Sequence, residues 1–167
     1  RKEGLRDFGA CMAPNTAFQI LQGIETLSLR MQRHMENTEV VVAFLEQQEQ
    51  VESVNHPMLE AHPDHELAKA ILPKGSTAVF SFNIVGGRAA GIKFIENLKL
   101  FSHLANVGDA KSLVIHPAST THHRMDSVAL DKAGISEGLI RLSIGLEDAA
   151  DIVADLKSGL RASQRGL

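Results

Sequence analysis

The sequence is poor in the features that mark nucleic-acid-binding, membrane-spanning or disulfide-stabilised proteins. Aromatic residues make up 4% of its 167 positions, and Lys+Arg 17 against Asp+Glu 20 leaves no dense basic stripe, which disfavours nucleic-acid binding. No apolar run approaches the roughly twenty residues that a membrane span needs. The single cysteine, Cys11, cannot form an internal disulfide. We therefore expect a soluble protein of the reducing cytoplasm.

A clear strand pattern is present near the C-terminal end, in residues 139–148. With a period of two, Ile140, Leu142 and Ile144 share one face, and Arg141 lies on the other. An arginine keeps its charge and needs partners for five N–H donors. Arg141 should therefore face either water or an anion.

The rest of the chain alternates helical and strand patterns. Apolar residues recur every three or four positions in helices, and every second position in strands. A long helix, if unbroken, covers 15–48, and its polar cluster of Arg30, Arg33 and His34 is interpreted as a solvated face. Further helices are predicted at 63–72, 88–98, 126–133 and after Asp148, and strands at 51–55, 76–85, 100–105, 113–115 and 139–148. This pattern predicts an α+β layer of the α/β type, an antiparallel or mixed sheet with helices on one face and an uncovered polar face.

Residues 106–122 form the second informative segment. Small hydroxyl and amide side chains surround a glycine and a proline there, which is typical of a loop that presents polar groups to a ligand. Three histidines elsewhere, His56, His62 and His65, do not predict a metal site, because no cysteine pair or compact ligand set accompanies them.

The two segments, "NVGDAKSLVIHPASTTH" and "GLIRLSIGLED", resemble the C-terminal domain of the pyridoxal-phosphate-dependent enzymes of cysteine and methionine metabolism, and among them the O-acetylhomoserine sulfhydrylases. The resemblance spans nearly the whole chain and implies a fold-type I transferase. In that family the arginine of the matching strand binds the α-carboxylate of the substrate, which gives this role to Arg141. Asn106, the Val107 backbone and, more weakly, Thr121 are the other substrate-binding residues that it implies.

Family members bind pyridoxal 5'-phosphate through a lysine in a Ser-x-Thr-Lys context. None of the eight lysines of this chain has that context, and the phosphate-binding glycine segment is missing too. We therefore expect no catalytic or cofactor-binding residue in this chain, which alone should be inactive. The cofactor would be bound mainly by a missing N-terminal domain, in a protein of which this chain is the C-terminal portion.

The resemblance also implies a domain boundary and an assembly. Residues 1–28 should be the tail of the cofactor-binding domain and the start of a connecting helix, and residues 29–167 a substrate-recognition domain. The whole enzyme would be a homotetramer that acts on a small amino acid, replacing the acetate of O-acetylhomoserine with sulfide or methanethiol.

Other functions stay open at the level of sequence. Asn106-Val107-Gly108 favours a sulfhydrylase over the methionine γ-lyases and cystathionine γ-synthases or γ-lyases, which usually have Ser-Leu-Gly there. A free-standing amino-acid-binding module, with Arg141 as the anion contact, is one alternative. A structural interface domain, with Arg141 in an ion pair between subunits, is another.

Overall fold

In a computed structural model of the chain, residues 3–9 and 11–166 are described, and they divide into two compact units, one ending at Gln32 and the other beginning at Arg33. The helices are α1 (Gly4–Phe8), α2 (Pro14–Glu25), α3 (Leu27–Glu46), α4 (His65–Ile71), α5 (Gly87–Glu96), α6 (Ser127–Lys132) and α7 (Ala149–Ser163). The strands are β1 (Val51–Asn55), β2 (Val79–Ile84), β3 (Ser102–His103), β4 (Leu113–Ile115) and β5 (Leu139–Ser143). A single 3-10 turn covers Pro117–Ser119 within these described residues.

The first unit contains α1, α2 and the first residues of α3. The long predicted helix is two helices, because the backbone leaves helical geometry at Thr26, whose N–H donates to the Ile24 carbonyl. Arg30 of the next turn donates to the Gly23 carbonyl and to the Thr26 hydroxyl. These contacts satisfy polar groups that the break frees at the helix ends. Helix α2 buries none of its residues within this unit.

The second unit is organised around one five-stranded sheet with the order β1-β2-β5-β4-β3. Its pairs are antiparallel except for β3 with β4, which is parallel. The prediction of a mixed sheet is therefore confirmed. Strand β5, which carries Arg141, lies in the centre of the sheet between β2 and β4.

One face of the sheet forms the hydrophobic core with helices α3, α5 and α7. The buried side chains come from the alternate strand positions that the sequence predicts, and from one stripe on each helix. They include Phe80, Phe82, Ile84, Ile140 and Leu142 from the strands, and Val41, Leu45, Phe94, Ile152, Leu156 and Leu160 from the helices. The helices thus cover one face of the sheet, as predicted, and Arg141 lies on the other.

The strand predicted at 100–105 is wrong in length, since β3 has only two residues. Asp155 of α7 accepts hydrogen bonds from the backbone N–H groups of Lys99, Leu100 and Phe101, at 2.9 to 3.3 Å. These donors are used by a carboxylate and cannot pair with a neighbouring strand. A contact 55 residues away in sequence therefore shortens the strand.

The interpretation of His34 as part of a solvated helix face is also wrong. Its side chain is 2% exposed, and Nδ1 donates to the Ile144 carbonyl at 2.6 Å. Asn37, one turn later, donates to the carbonyls of Gly145 and Glu147 at 3.0 and 2.8 Å. Helix α3 therefore uses polar side chains to hold the chain immediately after β5.

Two features are absent from residues 3–9 and 11–166, the part of the chain that the structure describes. No helix there has the length and apolar character to cross a membrane. No group of three or more His, Cys, Asp or Glu residues there is placed to hold a metal ion. His56 and His62 instead donate through Nε2 to the Thr77 carbonyl and the Asn55 side-chain oxygen, at 3.1 and 3.0 Å.

Candidate functional site

Arg141 lies in the middle of β5 on the face that the helices leave open. It pairs directly with Ser81 of β2 and Ile115 of β4, so the three side chains form one row across the sheet. The guanidinium Nη2 donates to the Asn106 carbonyl at 3.2 Å. Within the described ranges no carboxylate lies within 4.0 Å of it. A guanidinium offers five donors, so most of the fork is available to an anion.

Arg141 borders an open depression of about 490 Å³ on this face. Its polar lining includes Asn55, His62, Thr77 and Ser81. The Asp64 backbone N–H donates to His62 Nδ1, so His62 uses its Nε2 proton for Asn55. Asn55 thus accepts with its oxygen and keeps its amide N–H groups for another partner. The depression combines a cation with neutral donors, a combination suited to an anionic polar ligand of small size.

A loop, residues 104–111, covers the other side of Arg141. Residues 104–106 line a narrow cleft together with Arg141 and Ser143. The Ser143 hydroxyl lies buried there without a hydrogen-bond partner among the described residues. Because the Asn106 carbonyl accepts a hydrogen bond from the guanidinium, the loop limits the conformations that the Arg141 side chain can adopt.

The Asn106 side chain turns into the loop instead of toward Arg141. Its amide donates to Asp109 at 3.2 Å, and its oxygen accepts from the Val107 N–H at 2.9 Å. Asp109 also accepts from the Lys111 N–H at 3.0 Å, and this bond, followed by the Asn106 amide, lowers the pKa of the Asp109 carboxyl. Gly108 has φ +73°, a conformation that favours glycine. The structure thus brings Asn106 to Arg141 through its backbone oxygen.

Val107 and Thr121, unlike Asn106, form no hydrogen bond with Arg141 in the described structure. The Val107 side chain is 70% exposed at the tip of the loop, and its N–H is used by Asn106. Thr121 is exposed, and its hydroxyl shares a 2.8 Å hydrogen bond with His122. Thr121 lines neither the depression nor the cleft that Arg141 borders. A substrate-binding role for these two residues stays a prediction.

Glu147 contributes to the site in a way that its sequence position did not indicate. Sequence position places Glu147 and Asp148 together at the start of the last helix. Asp148 does cap α7, accepting from the Ala150 N–H at 2.8 Å. Glu147 instead accepts from both the N–H and the hydroxyl of Ser112, at 2.7 and 2.8 Å. A glycine between a strand and an acidic residue, Gly145, was the available signal that two chain segments cross closely there.

His116 is the second contributor that sequence reasoning missed. Its buried ring donates from Nε2 to the Glu137 carbonyl and accepts at Nδ1 from the Ser119 hydroxyl, each at 2.8 Å. Burial lowers the pKa of His116, because the low dielectric disfavours the imidazolium. The neutral ring fixes the turn that begins at Pro117, which lines the depression beside Arg141. Arg88 pairs with the Glu137 carboxylate and lowers its pKa by hydrogen bonding.

The described residues fit a carboxylate better than they fit pyridoxal phosphate. A lysine that binds the cofactor covalently must reach into the site. No lysine of the described ranges lines the depression or the cleft at Arg141. The arginine and the loop of this chain can therefore bind and orient a carboxylate.

A sequence model of the family described as "Cys/Met metabolism PLP-dependent enzyme" matches residues 2–161. The chain is 47% identical over 160 residues to O-acetyl-L-homoserine sulfhydrylase 1 of Thermus thermophilus, covering 96% of this chain and 38% of the relative. It is 44% identical over 158 residues to L-methionine gamma-lyase of Fusobacterium nucleatum, covering 94% of this chain and 40% of the relative. The chain thus spans about two fifths of the length of these relatives.

Solved structures agree with the sequence comparisons. The crystal structure of cystathionine gamma synthase from Xanthomonas oryzae, in complex with cystathionine, superimposes with a TM-score of 0.84. The two sequences are 40% identical, and the match covers 96% of this chain and 41% of the other. The three similar proteins carry three different activities in their names, so similarity alone does not choose among them.

Proposed function

The chain belongs to the Cys/Met metabolism family of PLP-dependent enzymes, and from this premise we propose that it is the C-terminal portion of an O-acetylhomoserine sulfhydrylase. The complete enzyme exchanges the acetate of O-acetylhomoserine for sulfide or methanethiol at the γ-carbon, and releases homocysteine or methionine with acetate. Pyridoxal phosphate, when bound, supplies the electron sink for this chemistry. The 38% coverage of the Thermus relative supports a longer protein.

The observation that carries the proposal is the setting of Arg141. Arg141 is half-buried on the open sheet face and borders a depression of small-molecule size, and its guanidinium donates to no carboxylate in the described part of the chain. A planar guanidinium can give two parallel charge-assisted hydrogen bonds to one carboxylate. We therefore assign the substrate's α-carboxylate to Arg141.

Arg141 contributes orientation in this proposal. By fixing the carboxylate at one end of the amino acid, it limits the rotation of the Cα–H bond and of the γ-carbon that carries the acetate. The Asn106 carbonyl holds the guanidinium from the loop side. The protons are then transferred by groups outside the described residues.

Replacement of Arg141 in the complete enzyme tests the assignment. Arg141→Lys keeps the charge and removes the fork, so we expect KM for O-acetylhomoserine to rise at least about tenfold, which corresponds to about 1.4 kcal/mol of binding. Arg161→Lys, on an exposed turn of α7, is the matched control and should leave KM unchanged. An unchanged KM for the Arg141 variant contradicts the assignment.

The sulfhydrylase activity is preferred over the other activities of the family because of Asn106-Val107-Gly108. The chain is 47% identical to a sulfhydrylase and 44% identical to a γ-lyase, and this difference is too small to choose between the two activities. The complete enzyme can be assayed with O-acetylhomoserine plus sulfide, and separately with methionine alone. Faster turnover of methionine would replace our proposal with a methionine γ-lyase.

A stand-alone amino-acid-binding module is the second candidate, since Arg141 and its depression lie wholly within the unit that begins at Arg33. Calorimetric titration of the 167-residue chain with O-acetylhomoserine separates the two candidates. We expect no tight binding without the cofactor domain, and tight binding would favour the module. A Ser-x-Thr-Lys lysine encoded upstream of Arg1 would favour the enzyme. The homotetramer, the cytoplasmic location and the domain boundary at residue 28 stay predictions.

A further inference from the structure

The loop of residues 104–111 is anchored at its C-terminal end by a carboxylate. Ser112, which follows the loop directly, is fully buried, and Glu147 accepts from its N–H at 2.7 Å and from its hydroxyl at 2.8 Å. The same hydroxyl accepts from the Gly145 N–H at 2.9 Å. Because a hydroxyl has one proton, this proton is committed to Glu147.

The two segments cross so closely that there is no room for a side chain at Gly145. A Cβ atom at Gly145 would lie 2.5 Å from both the Lys111 carbonyl carbon and the Ser112 nitrogen. One residue later, the Leu146 N–H donates to the Ala110 carbonyl at 2.9 Å. The end of the loop is therefore held directly against the chain that follows β5.

The chain that follows β5 is itself fixed from the helix side. His34 and Asn37 of α3 bind the carbonyls of Ile144, Gly145 and Glu147. Glu147 thus connects a fixed segment to a loop whose residues 104–111 are mostly exposed. The far end of the same loop presents the carbonyl of Asn106 to Arg141.

We propose that Glu147 is a positioning residue for substrate recognition: its carboxylate fixes the 104–111 loop through Ser112, and the loop in turn sets the position of the Arg141 guanidinium. This inference rests on the proposed function, because it assigns Arg141 to the substrate's carboxylate. Glu147 acts through the loop and does not touch the substrate. Loss of the anchor should weaken substrate binding more than the chemical steps, which depend on other groups.

Glu147→Gln is the informative variant, because glutamine keeps the shape of the side chain but replaces one of the two acceptor oxygens with an NH2 group. One of the two Ser112 donors, the backbone N–H or the hydroxyl, then loses its acceptor. We expect hydrogen exchange of the Ser112 amide in the chain to accelerate about tenfold, the effect of losing one charge-assisted hydrogen bond. Exchange in α5 and α7 should stay unchanged. In the complete enzyme, KM for O-acetylhomoserine should rise severalfold, with kcat altered less than about twofold.

Two further variants control the test. Asp148→Asn is the neighbouring acid-to-amide change, keeps a good helix cap and should alter neither exchange at Ser112 nor KM. Ser112→Ala removes the hydroxyl that bridges Glu147 and Gly145 but keeps the backbone N–H bond to Glu147, so amide exchange should accelerate at Gly145, and KM should rise as in Glu147→Gln. If Glu147→Gln fails to fold, Ser112→Ala tests the same anchor in its place.

The outcomes separate this inference from the proposed function. Unchanged Ser112 exchange in the Glu147 variant overturns the anchor. A raised KM for Arg141→Lys with an unchanged KM for Glu147→Gln overturns the positioning role and leaves the proposed function intact. Faster Ser112 exchange in Glu147→Gln, with KM unchanged in both Glu147→Gln and Arg141→Lys, overturns the positioning role and the proposed function together. A raised KM in both variants, with kcat nearly constant, supports the positioning role and the proposed function.

Discussion

The helix-covered face of the sheet and the face that carries Arg141 are built by the same strands, yet their side chains are packed very differently. Ile140 and Leu142 on the covered face are 0% exposed, whereas Arg141 between them is half-buried and borders a depression. Apolar burial on one face supplies stability, and on the other face we propose that the free N–H donors of Arg141 bind the substrate. Stability and ligand binding should therefore respond to different substitutions.

The largest effect is expected on the covered face. Leu156 of α7 is fully buried in the core, so Leu156→Ala should lower the free energy of unfolding by about 3 kcal/mol, through lost apolar burial and a cavity. Urea unfolding of the chain, followed by circular dichroism, measures this loss. Ser158→Ala, on the exposed side of the same helix, should change it by less than about 0.5 kcal/mol. A loss below 1 kcal/mol for Leu156→Ala would mean that the core is less tightly packed than the structure shows.

A smaller effect is expected where the open-face loop crosses the chain after β5. Gly145→Ala places a Cβ against the backbone of Lys111 and Ser112, and should cost about 1–3 kcal/mol of unfolding free energy. Gly23→Ala has open space around it in α2, and should be neutral or stabilising because alanine favours helix. Equal effects of the two substitutions would argue against a close crossing.

Acid should loosen the rim of the open face. Burial lowers the pKa of His56 and His116 below 6.5, and each precedes a proline that lines the depression, Pro57 or Pro117. The unfolded chain then binds more protons, so the free energy of unfolding is constant above about pH 6.5 and falls as pH drops below it.

Urea unfolding between pH 7.5 and pH 5 measures this dependence. His116→Gln should retain the part of this dependence that comes from His56, and the slope of its unfolding free energy below pH 6.5 should be shallower than that of the unchanged chain. An identical slope would show that His116 titrates equally in the folded and unfolded states.

The smallest stability effect is expected at Arg141 itself. Its side chain makes one 3.2 Å hydrogen bond, to the Asn106 carbonyl, in the described structure. Arg141→Lys should change the free energy of unfolding by less than about 0.5 kcal/mol, while it raises KM in the complete enzyme. A loss of several kcal/mol would mean that Arg141 belongs to the stabilising part of the fold, and the contrast between the two faces would fail.

Local sequence patterns predicted the elements that bury a regular stripe. The strands at 76–85 and 139–148, the helix at 88–98 and the helix after Asp148 correspond to β2, β5, α5 and α7. These features follow from periodicity and from helix-end chemistry, which act over a few residues. The placement of Arg141 opposite the core follows from the same alternation.

The errors arose where distant side chains bind backbone groups. Asp155 shortens the strand at 100–105, and the Ile144 carbonyl draws His34 into the interior. Glu147 binds Ser112, 35 residues earlier, although its position suggested a helix end. No pattern within one segment reports such pairs, because each partner looks ordinary in its own context.

The dual use of β5 limits how this strand can change by insertion or deletion. Adding or removing one residue between Leu139 and Arg141 would rotate every later side chain to the opposite face. The guanidinium would then enter the core, and Leu142 would move toward the depression. Drift in this segment should therefore proceed by replacement at constant length, whereas the exposed 104–111 loop can absorb length changes wherever the Asn106 carbonyl still reaches Arg141.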